Sequence, residues 1–353
     1  MTTRLAVRQN TLADVFDPRA NSLNALRLAL ATGVIVWHSF PLTGGDIGFA
    51  PLRQLMSNGW VDGFFALSGY LIVSSWVRRP HWWTFLQARL LRILPAFYTC
   101  LVVTALVLAP LSLLLAGTAA PPGFWADAWG YIVNNGALRV TQYGIAGTPL
   151  DVPYPGVWNG SLWTLWWEFL CYLGVLALGV TGLLRHRWCV PAVFALCLVG
   201  VVASSYGPVD NFYLNSMSRF GIMFAAGALI HQFQDRIPAR WSYVAVATAV
   251  VLASSVLPDY RIVAALPMAY LLIAVGSFVK NRIFWLRNDI SYGIYIYAFP
   301  MQQCLAVLGL YALGVPLFAV LSIALTVPLA LGSWYLVEKP ALRLRKRPSP
   351  HAG

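Results

Sequence analysis

Residues 23–40 read LNALRLALATGVIVWHSF, an apolar run that nevertheless carries Arg27 and His38. A membrane-spanning helix needs about 20 mainly apolar residues, and runs of about 17 already qualify. A charged or titratable side chain at bilayer depth is costly, so such residues are functional candidates by default. This stretch therefore predicts a membrane-spanning fold and also where its chemistry lies.

The whole chain has the composition of a membrane protein. Of its 353 residues, 59% are hydrophobic and 10% are charged, whereas soluble domains carry about 25% charged residues. This shortage of charge excludes a soluble enzyme, a nucleic-acid-binding protein and a disordered chain. The 15 tryptophans agree, because tryptophan collects at bilayer interfaces.

Ten stretches are apolar and long enough to cross the membrane. They are residues 23–40, 60–77, 94–115, 161–184, 188–204, 217–233, 241–257, 262–278, 290–310 and 316–337. Of the 24 basic residues, 19 then fall on the side of the N-terminus and three on the other side, which is the positive-inside pattern. The sequence thus predicts an all-α membrane protein of about ten transmembrane helices with both termini in the cytoplasm.

The predicted transmembrane domain covers residues 23–338. A cytoplasmic segment, 1–22, precedes it, and a basic cytoplasmic tail, 339–353, follows it. Residues 81–93 mix tryptophan and leucine with arginine, which favours a helix lying in the cytoplasmic interface. Residues 118–160, rich in glycine and proline, are predicted to form the long extracytoplasmic loop.

Arg27 and His38 lie on one face of the first predicted helix. Their separation of 11 residues places them about 20° past three full turns and about 16 Å apart along the axis. This spacing suits a long donor with an anionic head near the cytoplasm and a reactive end beside the imidazole. Two alternatives stay open, an interfacial arginine that snorkels and a hydrogen-bonded core histidine.

Two further polar residues lie inside predicted spans. Ser68 precedes Gly69, and such a pair either lets helices pack closely or supplies a hydroxyl that stabilises an oxyanion. Glu168 lies among tryptophans and needs a partner in lipid. That partner is either Arg219, as a structural ion pair, or His38, whose basicity the carboxylate would raise.

The five cysteines all lie inside apolar stretches, with neither a C-x-x-C spacing nor a histidine cluster nearby. We therefore expect buried thiols and no metal site.

Six short motifs occur in one order along nearly the whole chain. They are Arg27-x10-His38, Phe64-Phe65-x-x-Ser68-Gly69, Arg89-x-x-Arg92-Ile93-x-Pro95, Leu162-Trp163-Thr164-Leu165-x-x-Glu168, Ser291-Tyr292-Gly293-Ile294-Tyr295 and Glu338-Lys339-Pro340. Together they resemble the acyltransferase family 3 membrane proteins, which O-acylate, and mostly O-acetylate, cell-envelope carbohydrates and glycolipids. Each motif is loose by itself, and their common order makes the resemblance specific.

The resemblance implies a bacterial inner-membrane enzyme whose donor substrate is acyl-CoA, mostly acetyl-CoA. The acceptor would be a hydroxyl of a carbohydrate or glycolipid. His38 would act as general base, with Glu168 or a backbone carbonyl holding its tautomer. Ser68 or a tyrosine would stabilise the oxyanion. Direct transfer and a route through acyl-His38 both stay open.

Donor binding is implied for four basic residues, because arginine in particular matches the geometry of phosphate. They are Arg27, Arg89, Arg92 and Lys339. The Glu338-Lys339-Pro340 motif has an alternative interpretation, a charged helix end stopped by proline at the cytoplasmic surface. No permanently bound cofactor is implied.

The chain departs from the family pattern at particular positions. Thr164 stands where the family usually has serine, and Ala298-Phe299-Pro300 lacks the histidine that many relatives carry before this proline. We also expect no fused extracytoplasmic domain after the last span. The resemblance then implies either direct transfer or a separate extracytoplasmic partner.

Two other functions compete with this interpretation. A transporter or flippase of a lipid-linked sugar would use the same embedded charges, but no inverted repeat is visible. The other large class of membrane O-acyltransferases relies on an intramembrane histidine and a distant Asn or Asp. The histidines other than His38 lie at or outside the predicted cytoplasmic boundary, which disfavours that class.

Overall fold

The computed structural model describes residues 10–208, 210–286 and 288–344. Within them the protein is all-helical and has no β-strand. In chain order the helices are α1 (Leu12–Val15), α2 (Leu23–Leu42), α3 (Ala50–Arg78), α4 (Trp82–Val103), α5 (Ala109–Leu115), α6 (Phe124–Asn135), α7 (Trp163–Val180), α8 (Cys189–Tyr206), α9 (Phe212–Gln232), α10 (Trp241–Ser254), α11 (Arg261–Phe278), α12 (Ser291–Val307), α13 (Val315–Ser333) and α14 (Lys339–Arg343). Most of the predicted basic tail, 345–353, and the first nine residues of the predicted N-terminal segment lie outside the described residues.

In the described part of the chain, seven helices are long and apolar enough to cross a membrane. They are Leu23–Leu42, Ala50–Arg78, Trp82–Leu115, Trp163–Val180, Cys189–Tyr206, Arg261–Phe278 and Val315–Arg343. The prediction of an all-α protein with several membrane-spanning helices is confirmed. The count of ten and the cytoplasmic position of both termini stay predictions.

The other three predicted spans fall on α9, α10 and α12. α10 has 14 residues, which is short for a span, and α12 has 17, at the lower end of the range. From Phe220 to Ile230 every residue of α9 is buried, and so is every residue of α12 from Ser291 to Pro300. A helix surrounded by protein has no lipid-facing side, so it tolerates polar residues that lower its hydropathy.

The chain divides into two compact units, each assembled from separate stretches of sequence. Unit 1 comprises residues 1–27, 62–77 and 182–287, and unit 2 comprises 28–61, 78–181 and 288–353. In unit 1 the buried helix α9 packs against α8 and α11, and α11 packs against α10. In unit 2 the buried helix α12 packs against α13, α4 and α5. Each unit is thus organised around one central helix.

In unit 1, α3 and α9 cross with their backbones in contact. A Cβ atom on Gly69 would lie 1.9 Å from the carbonyl oxygen of Phe224, and one on Gly227 would lie 1.9 Å from that of Ala66. Small residues permit such close crossings of membrane helices. The packing alternative predicted for the Ser68-Gly69 pair therefore holds for Gly69.

Residues 82–93 belong to the stretch 81–93, whose position in the cytoplasmic interface stays a prediction. They are the first turns of α4, which continues through a π-helical turn, Thr104–Leu108, into α5. The result is one helix of 34 residues, Trp82–Leu115. Pro95 inside it removes a single backbone donor, and the leucine-rich pattern continues on both sides of the proline. The helix therefore propagates instead of ending.

The predicted extracytoplasmic loop, 118–160, returns along this long helix. α6 packs against α4 and the π-helical turn. The Tyr98 hydroxyl donates to the carbonyl of Gly136 at 3.0 Å, and Asn159 Nδ2 lies 3.7 Å from Cys100 Sγ. A hydrocarbon layer of about 30 Å spans about 20 helical residues, so any placement of it within Trp82–Leu115 includes Tyr98 and Cys100. The loop thus packs along the middle of this long helix.

The close crossing in unit 1 gives a test of the fold. Gly69→Val puts a branched side chain where the Phe224 carbonyl lies 1.9 Å away. Because overpacking of this kind costs about 1–3 kcal/mol, we expect the unfolding temperature in detergent to fall by about 1–4 °C. Tryptophan fluorescence during heating measures it.

The matched control is Gly174→Val in α7, where an added Cβ meets nothing within 4 Å. It carries the same change of helix propensity without the steric overlap. Equal unfolding temperatures for the two variants would contradict the close crossing of α3 and α9.

Candidate active site

Side chains from α2, α4, α7 and the 118–160 loop converge on α12 in unit 2. Along α12, the residues near its N-terminus contact α4, the middle contacts the loop, and the C-terminal half contacts α2. α12 thus meets a different element at each of three positions along its length.

His38 lies half-buried near the C-terminal end of α2. Its ring packs edge-to-face against Phe299 of α12, with 5.0 Å between the ring centroids. His38 Nδ1 is buried and has no hydrogen-bond partner among the described residues. The sequence predicted that Glu168 or a backbone carbonyl would hold the tautomer. In the structure neither group forms a hydrogen bond with this atom. The ring is oriented by packing instead.

The loop contributes to that packing. A Cβ atom on Gly160 would lie only 2.6 Å from the ring of Phe299, so the loop backbone lies directly against the aromatic ring that contacts His38. The Tyr154 ring also packs on Phe299, with 6.0 Å between centroids. Glycine is therefore needed at position 160, because a larger side chain would overlap the Phe299 ring.

Pro300 interrupts the hydrogen bonds of α12 beside this contact. Proline has no N–H, so the carbonyl of Ile296 loses its normal helical donor. Asn159 Nδ2 donates to that carbonyl at 2.9 Å, and Cys100 Sγ lies 3.2 Å from it. Such outside donors are needed because a membrane interior offers no water to pair with a freed backbone group. The loop is held against the middle of α12 by this bond.

Glu168 is linked through Tyr172 to Arg89 of α4. It accepts a hydrogen bond of 2.5 Å from the Tyr172 hydroxyl, one turn on in α7. The Tyr172 ring in turn lies 5.9 Å from the guanidinium carbon of Arg89. No hydrogen bond joins Glu168 to His38 in the described structure. Arg219, the other predicted partner, belongs to unit 1.

Arg92 bridges two carboxylates. Its Nη2 lies 2.6 Å from Asp289 Oδ2 and its Nη1 lies 3.1 Å from Glu338 Oε2. Glu338 is 1% exposed. Ser291 donates to Asp289 at 2.5 Å, and Ser333 donates to Glu338 at 3.2 Å. The guanidinium predicted to bind phosphate is therefore engaged by two acidic side chains.

These side chains form one group at the N-terminal end of α12, which we name the arginine cluster. It consists of Arg89, Arg92, Glu168, Tyr172, Asp289 and Glu338. His38 contacts Phe299, eight residues beyond Ser291. Eight helical residues span about 12 Å. The structure thus separates the cluster from the imidazole by about 12 Å along α12.

The remaining predicted site residues lie elsewhere. Lys339 begins α14, with its Nζ 5.0 Å from the centroid of the Tyr335 ring. Arg27 is half-buried on α2, and Ser68 is 8% exposed on α3, and both belong to unit 1. Their predicted roles in donor binding and oxyanion stabilisation stay predictions.

Sequence reasoning missed several residues of unit 2. Asp289 lies two positions before the Ser291-Tyr292 motif. The signal available in the sequence was an acidic residue directly before a predicted span. Gln302 and Gln303 are both fully buried. Gln303 Nε2 donates to the carbonyls of Tyr154 and Val157 at 2.8 and 2.7 Å, which holds the loop to α12.

Unit 1 contains a buried ionic network that the sequence did not indicate. Asp62, with no exposed surface, accepts a bond of 2.7 Å from Arg261 Nε and another from the Tyr260 hydroxyl. Arg261 also pairs with Asp259 at 2.9 Å. Arg261, counted from the sequence as a loop residue, is 3% exposed. In the described residues no group of three or more His, Cys, Asp or Glu could hold a metal ion.

Comparison with known proteins identifies the family. A family model described as an acyltransferase domain matches residues 20–335, and the chain therefore belongs to acyltransferase family 3. An O-acetyl transferase of Shigella phage Sf6 is 27% identical over 346 residues, which are 94% of this chain and 98% of the relative. Nodulation protein 10 of Rhizobium leguminosarum bv. viciae is 24% identical over 371 residues, with coverage of 92% and 94%. No solved structure matches.

The bridge made by Arg92 can be tested by its stability. Arg92→Gln leaves Asp289 and Glu338 buried without their cation, and breaking a buried ion pair costs about 3–5 kcal/mol. We therefore expect a large loss of thermal stability in detergent, with and without acyl-CoA present.

Arg53→Gln is the matched control, because Arg53 pairs with Asp46 at 3.2 Å where both side chains are exposed. Exposed pairs contribute about 0–1 kcal/mol. If Arg92→Gln were as stable as this control, the bridging role of Arg92 would be wrong.

Proposed function

We propose that the protein is a bacterial cell-membrane O-acyltransferase. It moves an acyl group, acetyl in the first instance, from acyl-CoA to a hydroxyl of a cell-envelope carbohydrate or glycolipid. Family membership supports acyl transfer. The name of the phage Sf6 relative, an O-acetyl transferase, supports acetyl as the group and oxygen as the acceptor atom. A flippase would need neither an acyl group to transfer nor an acceptor oxygen.

The observation that carries this proposal is the placement of two groups along α12. The arginine cluster lies at its N-terminal end, and His38 packs on Phe299 about 12 Å further along. An acyl-CoA thioester is an extended molecule with phosphates at one end and the reactive carbonyl at the other. Arg89 at one position and the His38 imidazole at the other suit that shape, because a guanidinium matches the geometry of phosphate.

His38 acts as the general base. The acceptor hydroxyl passes its proton to the imidazole while its oxygen attacks the thioester carbonyl, so that a C–O bond forms. The C–S bond then breaks, and the departing thiolate of coenzyme A takes the proton back from the imidazolium. Imidazole suits both transfers because a ring nitrogen can accept a proton and then donate it.

Arg89 and Lys339 bind the donor phosphates in unit 2. Arg92 is already engaged by Asp289 and Glu338, so we assign it to holding these carboxylates. Arg89 lies over the rings of Phe85 and Tyr172, and the planar guanidinium group matches the geometry of phosphate. Arg27 stays a predicted donor ligand on α2.

Replacing the imidazole tests the mechanism. His38→Ala should lower the rate of coenzyme A release from acetyl-CoA, in the presence of an acceptor, by 100-fold or more, since general-base catalysis contributes about 10²–10⁴-fold. The free thiol of released coenzyme A is measured with a chromogenic reagent on purified protein.

His186→Ala is the control, because His186 is an exposed histidine at the end of a short helical turn in unit 1. It should keep the wild-type rate. Full activity of a correctly folded His38→Ala protein would show that the imidazole is not the base.

Donor binding by Arg89 is tested separately. Removing one charge-assisted bond to phosphate costs about 1.5–3 kcal/mol, so Arg89→Gln should raise the KM for acetyl-CoA at least tenfold. The KM for the acceptor should change little. Arg79→Gln, at an exposed arginine between α3 and α4, is the control, and equal donor KM values for both variants would remove Arg89 from the donor site.

A further inference from the structure

The helical turn that carries His38 is weakened by its own sequence. Pro41 lies inside α2 and has no N–H, so the carbonyl of Trp37 loses its helical donor. The Ser39 hydroxyl donates back to the carbonyl of Ile35 at 2.8 Å, a bond of the kind that bends helices. His38 therefore lies on a turn whose backbone hydrogen bonds are incomplete.

Gln302 of α12 donates to both sides of this turn. Its Nε2 lies 3.0 Å from the carbonyl oxygen of Ile35 and 3.0 Å from the hydroxyl oxygen of Ser39. A backbone carbonyl only accepts hydrogen bonds, so the contact with Ile35 fixes which end of the amide is the nitrogen. His38 lies between the two residues that Gln302 holds.

The same face of α12 also holds the imidazole ring. Phe299 lies one turn before Gln302, and its ring packs against His38 at 5.0 Å. α12 thus contacts the imidazole through Phe299 and the backbone of its turn through Gln302. Both contacts lie within unit 2.

The amide oxygen of Gln302 is evidence against a role in packing alone. Gln302 is fully buried, and its Oε1 has no hydrogen-bond partner among the described residues. A buried acceptor left unpaired is destabilising, whereas an apolar side chain of similar size would avoid that cost. The presence of glutamine here is therefore explained by what its nitrogen donates to.

We propose that Gln302 is a positioning residue for His38: its amide holds the proline-weakened turn of α2 so that the imidazole stays oriented toward the reacting groups. This inference rests on the proposed function, in which His38 is the base. Gln302 itself does not contact the substrates. Its effect on the reaction passes through the geometry of residues 35–39.

Gln302→Met tests the proposal, because methionine keeps the size of the side chain and removes the donor. We expect kcat to fall about tenfold, while the KM values for donor and acceptor stay within about twofold, since an imidazole held less firmly is in reactive geometry less often. A variant with merely poorer packing would instead lose folded protein or change the KM values.

A second substitution makes the test specific. Pro41→Ala restores an N–H that can bond to the Trp37 carbonyl, so the Gln302→Met/Pro41→Ala protein should regain a large part of kcat. Gln303→Met is the matched control. It makes the same chemical change one residue on, where the bonds go to Tyr154 and Val157, and Pro41→Ala should not rescue it.

A readout that needs no enzymatic activity separates this inference from the proposed function. Diethylpyrocarbonate modification of His38, quantified by peptide mass spectrometry, should be faster in Gln302→Met than in wild type, and Pro41→Ala should slow it again. If His38→Ala were active while His38 reactivity followed this pattern, only the proposed function would fail. If Gln302→Met showed wild-type kcat and wild-type His38 reactivity, the role of Gln302 would be refuted.

Discussion

The contact between α2 and α12 is the interaction on which the site in unit 2 depends. Both helices contain a proline next to it, Pro41 in α2 and Pro300 in α12. Where a proline frees a backbone carbonyl inside a membrane protein, other protein groups must pair with it, because the bilayer core offers no water. Asn159 does this for the Ile296 carbonyl, and that bond holds the loop to α12. On the other side of the contact, Gln302 of α12 donates to the turn of α2 that carries His38.

The second constraint is the cost of charge in a low-dielectric interior. A buried guanidinium needs anions, and Arg92 has two in Asp289 and Glu338. Arg92 carries one positive charge and its two partners carry two negative charges. The excess negative charge favours a second cation nearby, such as Arg89. Within the R-x-x-R motif, Arg92 is the arginine that joins two other segments of the chain, through Asp289 and Glu338.

The sequence predicted what local patterns determine. The long apolar runs predicted the all-α membrane fold, and the embedded imidazole singled out His38. Partners distant in sequence could not be predicted, since Asp289 and Glu338 lie 197 and 246 residues beyond Arg92 and nothing local indicates their pairing. Hydropathy is also a weaker guide to α9 and α12. The buried residues of these two helices face protein and not lipid, so polar side chains are tolerated there. The sequence left Arg219 and His38 open as partners of Glu168, and the structure shows a hydrogen bond from Tyr172, one turn on in α7. A role of Glu168 in orienting His38 stays a prediction.

The most direct measurement follows a labelled acetyl group through the reaction. The purified protein in lipid vesicles would be given acetyl-CoA labelled with ¹³C at the carbonyl, together with cell-envelope glycans and glycolipids, and the products analysed by NMR and mass spectrometry. The expected result is an ester carbonyl on a hydroxyl oxygen of one acceptor, formed by wild type and not by His38→Ala. Label that stays in acetyl-CoA, or an acceptor that crosses the vesicle membrane without gaining an acetyl group, would contradict acyl transfer as the function.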